Sequence, residues 1–184
     1  ITLLGDTLKF VAGPQTDYFR SPDGSVVNNS AVIFTEVDNT KPFTFTAKVQ
    51  PEFTETGTYS AGVIYAYEND THCQKLCFEQ DEYGDHRVVS VRTLGTSDDN
   101  NHQAITAPYV YMRLSSDGTT LGSYFSEDGK IWRMARLYKN DFPEKLLIGI
   151  SSQSPKDNEH TCLFTEVSLT DKPVADFRKG NIAE

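Results

Sequence analysis

The chain has 184 residues and carries 17 Lys plus Arg against 26 Asp plus Glu, a formal charge of −9. That balance excludes a nucleic-acid partner, whose affinity rests on neutralising phosphates with cations, and an anionic membrane surface. No apolar run approaches the roughly 20 residues that span a bilayer, and the length suits one domain, residues 1–184, with a sizeable core.

Apolar residues recur with a period of two almost throughout, which predicts strands. Near the N-terminus, Thr16-Asp17-Tyr18-Phe19-Arg20 lies outside a clear strand. There Asp17 and Arg20 can set a charged pair at the rim of a sheet, Arg offering a planar fork to oxygens. The plainer alternative is that Tyr18 and Phe19 anchor a loop. From Phe43 to Val49, Phe43, Phe45, Ala47 and Val49 alternate with Thr44, Thr46 and Lys48, one face buried and one polar. Short runs of the same kind follow at 61–67, 74–79, 87–94, 109–114, 119–126, 132–138, 145–152 and 161–169. Turn signals separate them: Asn69-Asp70, Gly84 among acidic residues, Asp98 to Asn101, Asp117-Gly118, Asp128-Gly129 and Pro155 to Asn158. In Ser126-Glu127-Asp128-Gly129, the Asp closes a turn on its own backbone and Gly accepts positive φ. Trp132 then re-enters a strand and pins that hairpin to a sheet. Only Tyr138 to Glu144 offers a helical turn, and the polar residues from Asp171 are expected to fray. Many short strands at this spacing predict an all-β fold, a two-sheet antiparallel β-sandwich of the jelly-roll kind.

Three cysteines cannot all pair within one chain. Cys73 and Cys77 lie four apart on an expected strand, roughly 13 Å by strand rise, too far for a disulfide. An odd, unpaired set reads as reduced thiols in the cytoplasm. The acceptor sequons Asn28-Asn29-Ser30 and Asn69-Asp70-Thr71 argue the other way. No signal peptide is visible, and a start at Ile1 leaves a removed leader open.

Strand parity sorts the candidate site. With Leu76 and Phe78 inward, Lys75, Cys77 and Glu79 share the other face. Taking Val89 and Val91 as core puts Ser90 and Arg92 with them, and taking Val110, Met112 and Leu114 as core puts Tyr109, Tyr111 and Arg113 outside. A polar and aromatic set of Lys75, Glu79, Arg92, Tyr109, Tyr111 and Arg113 on one concave sheet, with Asp17 and Arg20 at its rim, suits a sugar: rings for stacking, charges for hydroxyls. The alternative is a solvated face laced with cross-strand ion pairs.

No residue cluster declares a reaction, a cofactor or a metal. The four histidines are far apart in sequence, and His72 and Cys73 point to opposite strand faces. Asp98, Asp99 and Asn100 gather hard oxygen ligands of the kind calcium takes, though a merely hydrophilic loop accounts for them as well. A thiolate at Cys77 helped by Lys75 competes with an inert buried thiol.

Three segments carry a family likeness: Tyr124-Phe125-Ser126-Glu127-Asp128-Gly129 with Trp132, then Leu147-Ile148-Gly149-Ile150 leading to Gln153-Ser154-Pro155, then Cys162-Leu163-Phe164. Together with Thr16 to Arg20, Ala61-Gly62-Val63 and Lys75 to Glu79, they resemble the concanavalin A-like lectin/glucanase superfamily. The resemblance is to a branch of largely unknown function that includes the yeast "regulation of enolase" protein. That branch is also similar to the accessory C-terminal domain of β-xylosidases. The resemblance implies a concanavalin A-like jelly roll. The Glu-x-Asp-x-x-Glu strand of the superfamily's glycosidases is not reproduced; Glu79-Gln80-Asp81-Glu82 comes nearest, and no catalytic residue is carried over. The expected function is a non-catalytic module binding a carbohydrate or a sugar-phosphate-like molecule on the concave sheet. The rivals are a protein-interaction module regulating a metabolic enzyme, as the enolase-regulation likeness implies, and a glycoside hydrolase.

Overall fold

The computed structural model describes residues 1–182, and all of its regular structure is extended. In chain order the strands are β1 (Thr2–Leu4), β2 (Thr7–Ala12), β3 (Tyr18–Arg20), β4 (Val26–Asn28), β5 (Ile33–Asp38), β6 (Phe43–Pro51), β7 (Ala61–Asn69), β8 (His72–Gln80), β9 (His86–Leu94), β10 (Thr96–Ala104), β11 (Val110–Ser116), β12 (Thr120–Ser126), β13 (Arg133–Lys139), β14 (Lys145–Gln153) and β15 (His160–Thr170). They form a seven-stranded sheet, β1-β2-β15-β6-β11-β12-β13, and a six-stranded sheet, β10-β9-β8-β7-β14-β5, with β3 and β4 as a separate hairpin. Every pairing is antiparallel, so the fold is the expected all-β jelly-roll sandwich. No helix long and apolar enough to cross a membrane occurs among the described residues.

The main core lies between the sheets, where alternate residues of β6, β11 and β12 (Phe45, Ala47, Met112, Leu114, Phe125) meet Ile64, Leu76, Phe78 and Ile148. A second apolar layer covers the outer face of the six-stranded sheet. There Ala61, Val63, Tyr65, Cys77, Val89 and Val91 are roofed by Tyr18 and Phe19 of the hairpin and by Phe34. Cys73, Cys77 and Cys162 are free and buried.

Four expectations are corrected. Residues 98–101 are not a turn or a calcium loop: they form part of β10, with Asp98 opposite Arg92 and Asp99 opposite Val91. Successive side chains there point to opposite faces and cannot converge on one ion. No helical turn forms between Tyr138 and Glu144; β13 runs to Lys139 and the link to β14 is irregular. Residues 172–180 do not fray: Val174 is 3% exposed, its N–H donates to Ser115 Oγ at 2.9 Å, and the Gly180 carbonyl accepts from Arg113 at 2.6 Å. The last two residues of the segment expected to fray lie outside the described residues. The region before Phe43, for which no strand was expected, holds β1 to β5. The hairpin expected around Asp128 is present: Asp128 Oδ1 accepts the N–H groups of Lys130 and Ile131 at 2.8 Å, with Gly129 at φ 72°.

Gly62 sets how closely the sheets approach, because a Cβ there would overlap Cys162 Sγ and Val49 Cγ1 from the opposite sheet. Overpacking of this kind costs about 1–3 kcal/mol. Gly62→Ala is therefore expected to lower the unfolding free energy by that amount, read as a lower urea midpoint at unchanged slope, with an unchanged far-ultraviolet spectrum. An unaltered midpoint would contradict the packing described.

Candidate functional site

A cleft of about 910 Å³ opens on the outer face of the six-stranded sheet, beside the β3–β4 hairpin. Its construction begins with a sequence conflict. The outer face of β7, β8 and β9 is largely apolar, yet Lys75 stands in the middle of it, level with Tyr65 and Val91 and only 2% exposed. An ammonium in such a place must be paired and hydrogen-bonded. Its Nζ donates to Asp17 Oδ1 at 2.6 Å and to Gln153 Oε1 at 3.0 Å. Burial, the largest single effect, works to drive the proton off, but the surrounding groups together, the Asp17 carboxylate foremost, outweigh it and hold the ammonium above its ordinary range. Three N–H donors serve two partners, so one remains for the cleft.

The Thr16 to Arg20 segment is the fastening of the hairpin. Thr16 bridges Ser154 through the backbone, Asp17 takes Lys75, and Tyr18 packs edge-on against Tyr65 and Tyr67. Phe19 lines the cleft. At the far end Arg20 Nε donates to the Gly95 carbonyl at 2.9 Å, and its guanidinium lies 3.6 Å from Asp70. The turn between β3 and β4 is Ser21-Pro22-Asp23-Gly24-Ser25, with Gly24 at φ 92° and Asp23 accepting from Ser25.

Glu79, two strand repeats from Lys75 on the same face, is a half-buried cleft residue. Burial pushes its carboxyl up to about 8; Lys75 pulls it back and Asp17, Asp99 and Asp81 push it further. Asp99 also lines the cleft and is raised, by burial first and by Asp17, against the pull of Lys75. Asn101 stands two residues on from Asp99, level with Val89 and Cys77. At the other end lie Tyr59, Glu82 and Lys156. Tyr59 has φ 63°, which costs a bulky residue about 1–3 kcal/mol; its carbonyl accepts from Gln153 Nε2 at 3.1 Å. Among the described residues, no three His, Cys, Asp or Glu side chains converge on a common metal position.

Of the sequence-derived candidates, the structure gathers Asp17, Lys75 and Glu79 in this cleft and puts Arg20 behind it. The other four are elsewhere, which corrects the single-face assignment. Arg92 points between the sheets, because Val89 and Val91 lie under the hairpin and Val88 is the core residue. It pairs with Asp141 and covers the Tyr138 ring at 4.1 Å. Tyr109, Tyr111 and Arg113 belong to the other sheet's outer face. Lys48 lies over Tyr109 at 4.0 Å and Tyr111 at 5.5 Å, and Arg113 stacks on Trp132 at 3.6 Å while holding the C-terminal segment. Among the cleft residues missed from sequence are Gln153, Asp99, Asn101 and Tyr59. The Pro-Asp-Gly turn between two short apolar runs was a readable hairpin signal, and nothing local marks Tyr59.

The fold and site define a jelly-roll domain that carries a preorganised polar cleft on one sheet. The chain belongs to the DUF1349 family, described as proteins of unknown function, whose model matches residues 2–172. Among solved structures it is similar to a functionally unknown protein from Saccharomyces cerevisiae, at 23% identity and TM-score 0.83, covering 92% of this chain and 90% of that one. It is also similar to the GH43 BlXynB protein from Bacillus licheniformis, at 14% identity and TM-score 0.69, with 90% of this chain matching 33% of that longer one. The carbohydrate binding module CBM66 from Bacillus subtilis matches at 10% identity and TM-score 0.51, covering 77% of this chain and 83% of that one. No curated protein matches the chain in sequence.

Two measurements test this electrostatic account. Glu79 ionises near its ordinary 4.5 in the unfolded chain and near 8 in the fold, so the fold keeps a proton that the unfolded chain has lost between these values. Stability therefore falls as pH rises from 4.5 to 8 and levels off above. Since a tenfold difference in proton affinity is worth about 1.4 kcal/mol, Glu79→Gln is expected to stabilise by roughly 1–2 kcal/mol at pH 8.5 and hardly at pH 4.5. A pH-independent effect in denaturant titrations would refute it. Lys75→Met strands the Asp17 carboxylate and is expected to cost about 3 kcal/mol, with protease cleavage appearing in residues 17–29. Intact resistance there would show that the pair does not fasten the hairpin.

Proposed function

We propose that this domain is a non-catalytic module that binds a neutral carbohydrate in the cleft beside the β3–β4 hairpin. The observation that carries the reading is the Lys75 ammonium, buried, fixed at two of its three donors and opening onto the cleft beside Glu79. Such a group offers a hydrogen bond at no cost of reorganisation, and Glu79, protonated at neutral pH, both donates and accepts. Paired donors and acceptors beside an aromatic wall match a polyhydroxylated ring. Fold similarity to a carbohydrate binding module agrees with this reading.

Charge narrows the ligand. Lys75 is spent on Asp17, and Glu82 and Asp99 then outnumber the exposed Lys156, an environment that repels a sugar phosphate. The hydrolase alternative needs a free carboxylate facing Glu79. Asp17 is engaged by Lys75, Glu82 follows Glu79 just past the end of the same strand rather than across the cleft from it, and Asp99 lies two strands and four residues away. The protein-interaction alternative calls for a contiguous apolar patch. Apart from Ile1, Leu3 and Leu4, the most exposed large apolar side chains, Tyr83, Leu94 and Ile131, sit at separate turns and strand ends.

Titration calorimetry against neutral tetrasaccharides of β-linked glucose, xylose, mannose and galactose is expected to give saturable heat with at least one. At about 100 times the dissociation constant that ligand should stabilise the fold by roughly 2.7 kcal/mol. Glu79→Ala should weaken binding without loss of fold. No heat and no thermal shift across the panel would sink the reading.

A further inference from the structure

Tyr59 stands in the segment between β6 and β7 in a left-handed conformation, φ 63°, which glycine adopts freely and a bulky L residue does not. Among the described residues three non-glycine positions have positive φ, namely Gln15, Tyr59 and Glu166, and two of them, Gln15 and Tyr59, line the cleft. Strain of this kind gathers at ligand sites because the surroundings must over-determine it.

The surroundings here do so through the cleft floor. The Tyr59 N–H donates to the Gln80 carbonyl at 2.7 Å, next to Glu79, and its carbonyl accepts from Gln153 Nε2 at 3.1 Å. The opposite end of the same Gln153 amide takes the Lys75 ammonium. The strained backbone is thus locked to the buried ion pair, and the ring is displayed at the cleft wall with the residue 36% exposed. Among the described residues no aromatic or cationic group covers that ring. By contrast, Tyr18 and Tyr67 pack on each other, and Tyr109, Tyr111 and Tyr138 each lie under a cation. Phe19 is the other aromatic residue of the cleft, and its ring already faces Lys75 at 5.9 Å.

We propose that Tyr59 is the stacking platform of the cleft, and that its ligand is an uncharged pyranoside laying the C–H face of one ring on the phenol. A pyranose with equatorial hydroxyls presents polarised C–H bonds on its face and hydroxyls at its rim. The first suit the negative face of an aromatic ring, and the second reach Glu79 and the free Lys75 donor. An anionic sugar would bring its charge against Glu82 and Asp99. The inference rests on the carbohydrate reading and specifies the ring that reading needs.

The test compares wild type, Tyr59→Gly and Tyr59→Phe by calorimetry and thermal melting. The probes are the four neutral tetrasaccharides and tetragalacturonic acid. Glycine accepts the local φ, so Tyr59→Gly is expected to keep or raise the melting temperature while weakening the neutral ligand at least about tenfold. Tyr59→Phe should stay within about threefold of wild type, since the ring and not the hydroxyl makes the contact. If Tyr59→Gly melts lower, Tyr59→Asn, which also tolerates the left-handed region, is read in its place. Wild-type affinity in the ringless variant would overturn the platform and leave the carbohydrate reading standing. Tighter binding of the uronic acid would overturn the uncharged ligand class. Wild type binding none of the sugars would overturn both.

Discussion

The structure around the cleft depends on one buried ammonium. Removing Lys75 from water costs several kcal/mol, and a lysine in the middle of an apolar sheet face is tolerable only where oxygens wait for it. Asp17 and Gln153 supply them from two different parts of the chain. Asp17 stands at the root of the β3–β4 hairpin, so the charge that must be neutralised also draws the hairpin down over Val63, Tyr65 and Val91. Gln153 ends β14 and carries the constraint onward to the loop that holds Tyr59. A single desolvated charge thereby specifies the position of the hairpin, one wall of the cleft and a donor pointing into it.

The two outer faces of the sandwich are treated in opposite ways. On the seven-stranded sheet the aromatic surfaces are already occupied: Lys48 covers Tyr109 and Arg113 covers Trp132. The C-terminal segment closes over part of what remains, through Arg113 and through the Tyr124 hydroxyl, which donates to the Phe177 carbonyl at 2.8 Å. On the six-stranded sheet the cleft carboxyls Glu79 and Asp99 are both held above their ordinary range, by burial first. One face has spent its recognition chemistry on internal contacts; the other has not.

Period-two alternation made the central strands legible because each buries one face in the main core. It failed where both faces are apolar. In β9, Val88 enters the main core while Val89 and Val91 sit under the hairpin, so three nearby valines do not reveal which parity is inside, and Arg92 was assigned to the wrong side. β10 failed for the opposite reason. Asp98-Asp99-Asn100-Asn101 has the composition of a turn, and only pairing with β9 makes it a strand, a tertiary override of local preference. Of the site, Asp17, Lys75 and Glu79 were readable from parity and motif. Gln153, Asp99 and Tyr59 were not, since their role exists only once β14, β10 and the β6–β7 loop are brought to one surface.

That polar strand has a consequence for the molecule among its neighbours. β10 is the last strand of its sheet, pairing with β9 and, among the described residues, with no strand beyond it. A free strand edge invites any other chain to continue the hydrogen-bond ladder, which is how sheets grow into fibres. With Asp98, Asp99, Asn100 and Asn101 along it, an incoming copy would align its own acidic residues against these and gain little from their low β-propensity. The residues that disguised the strand in the sequence also keep it from being extended, and they let the sheet end in water.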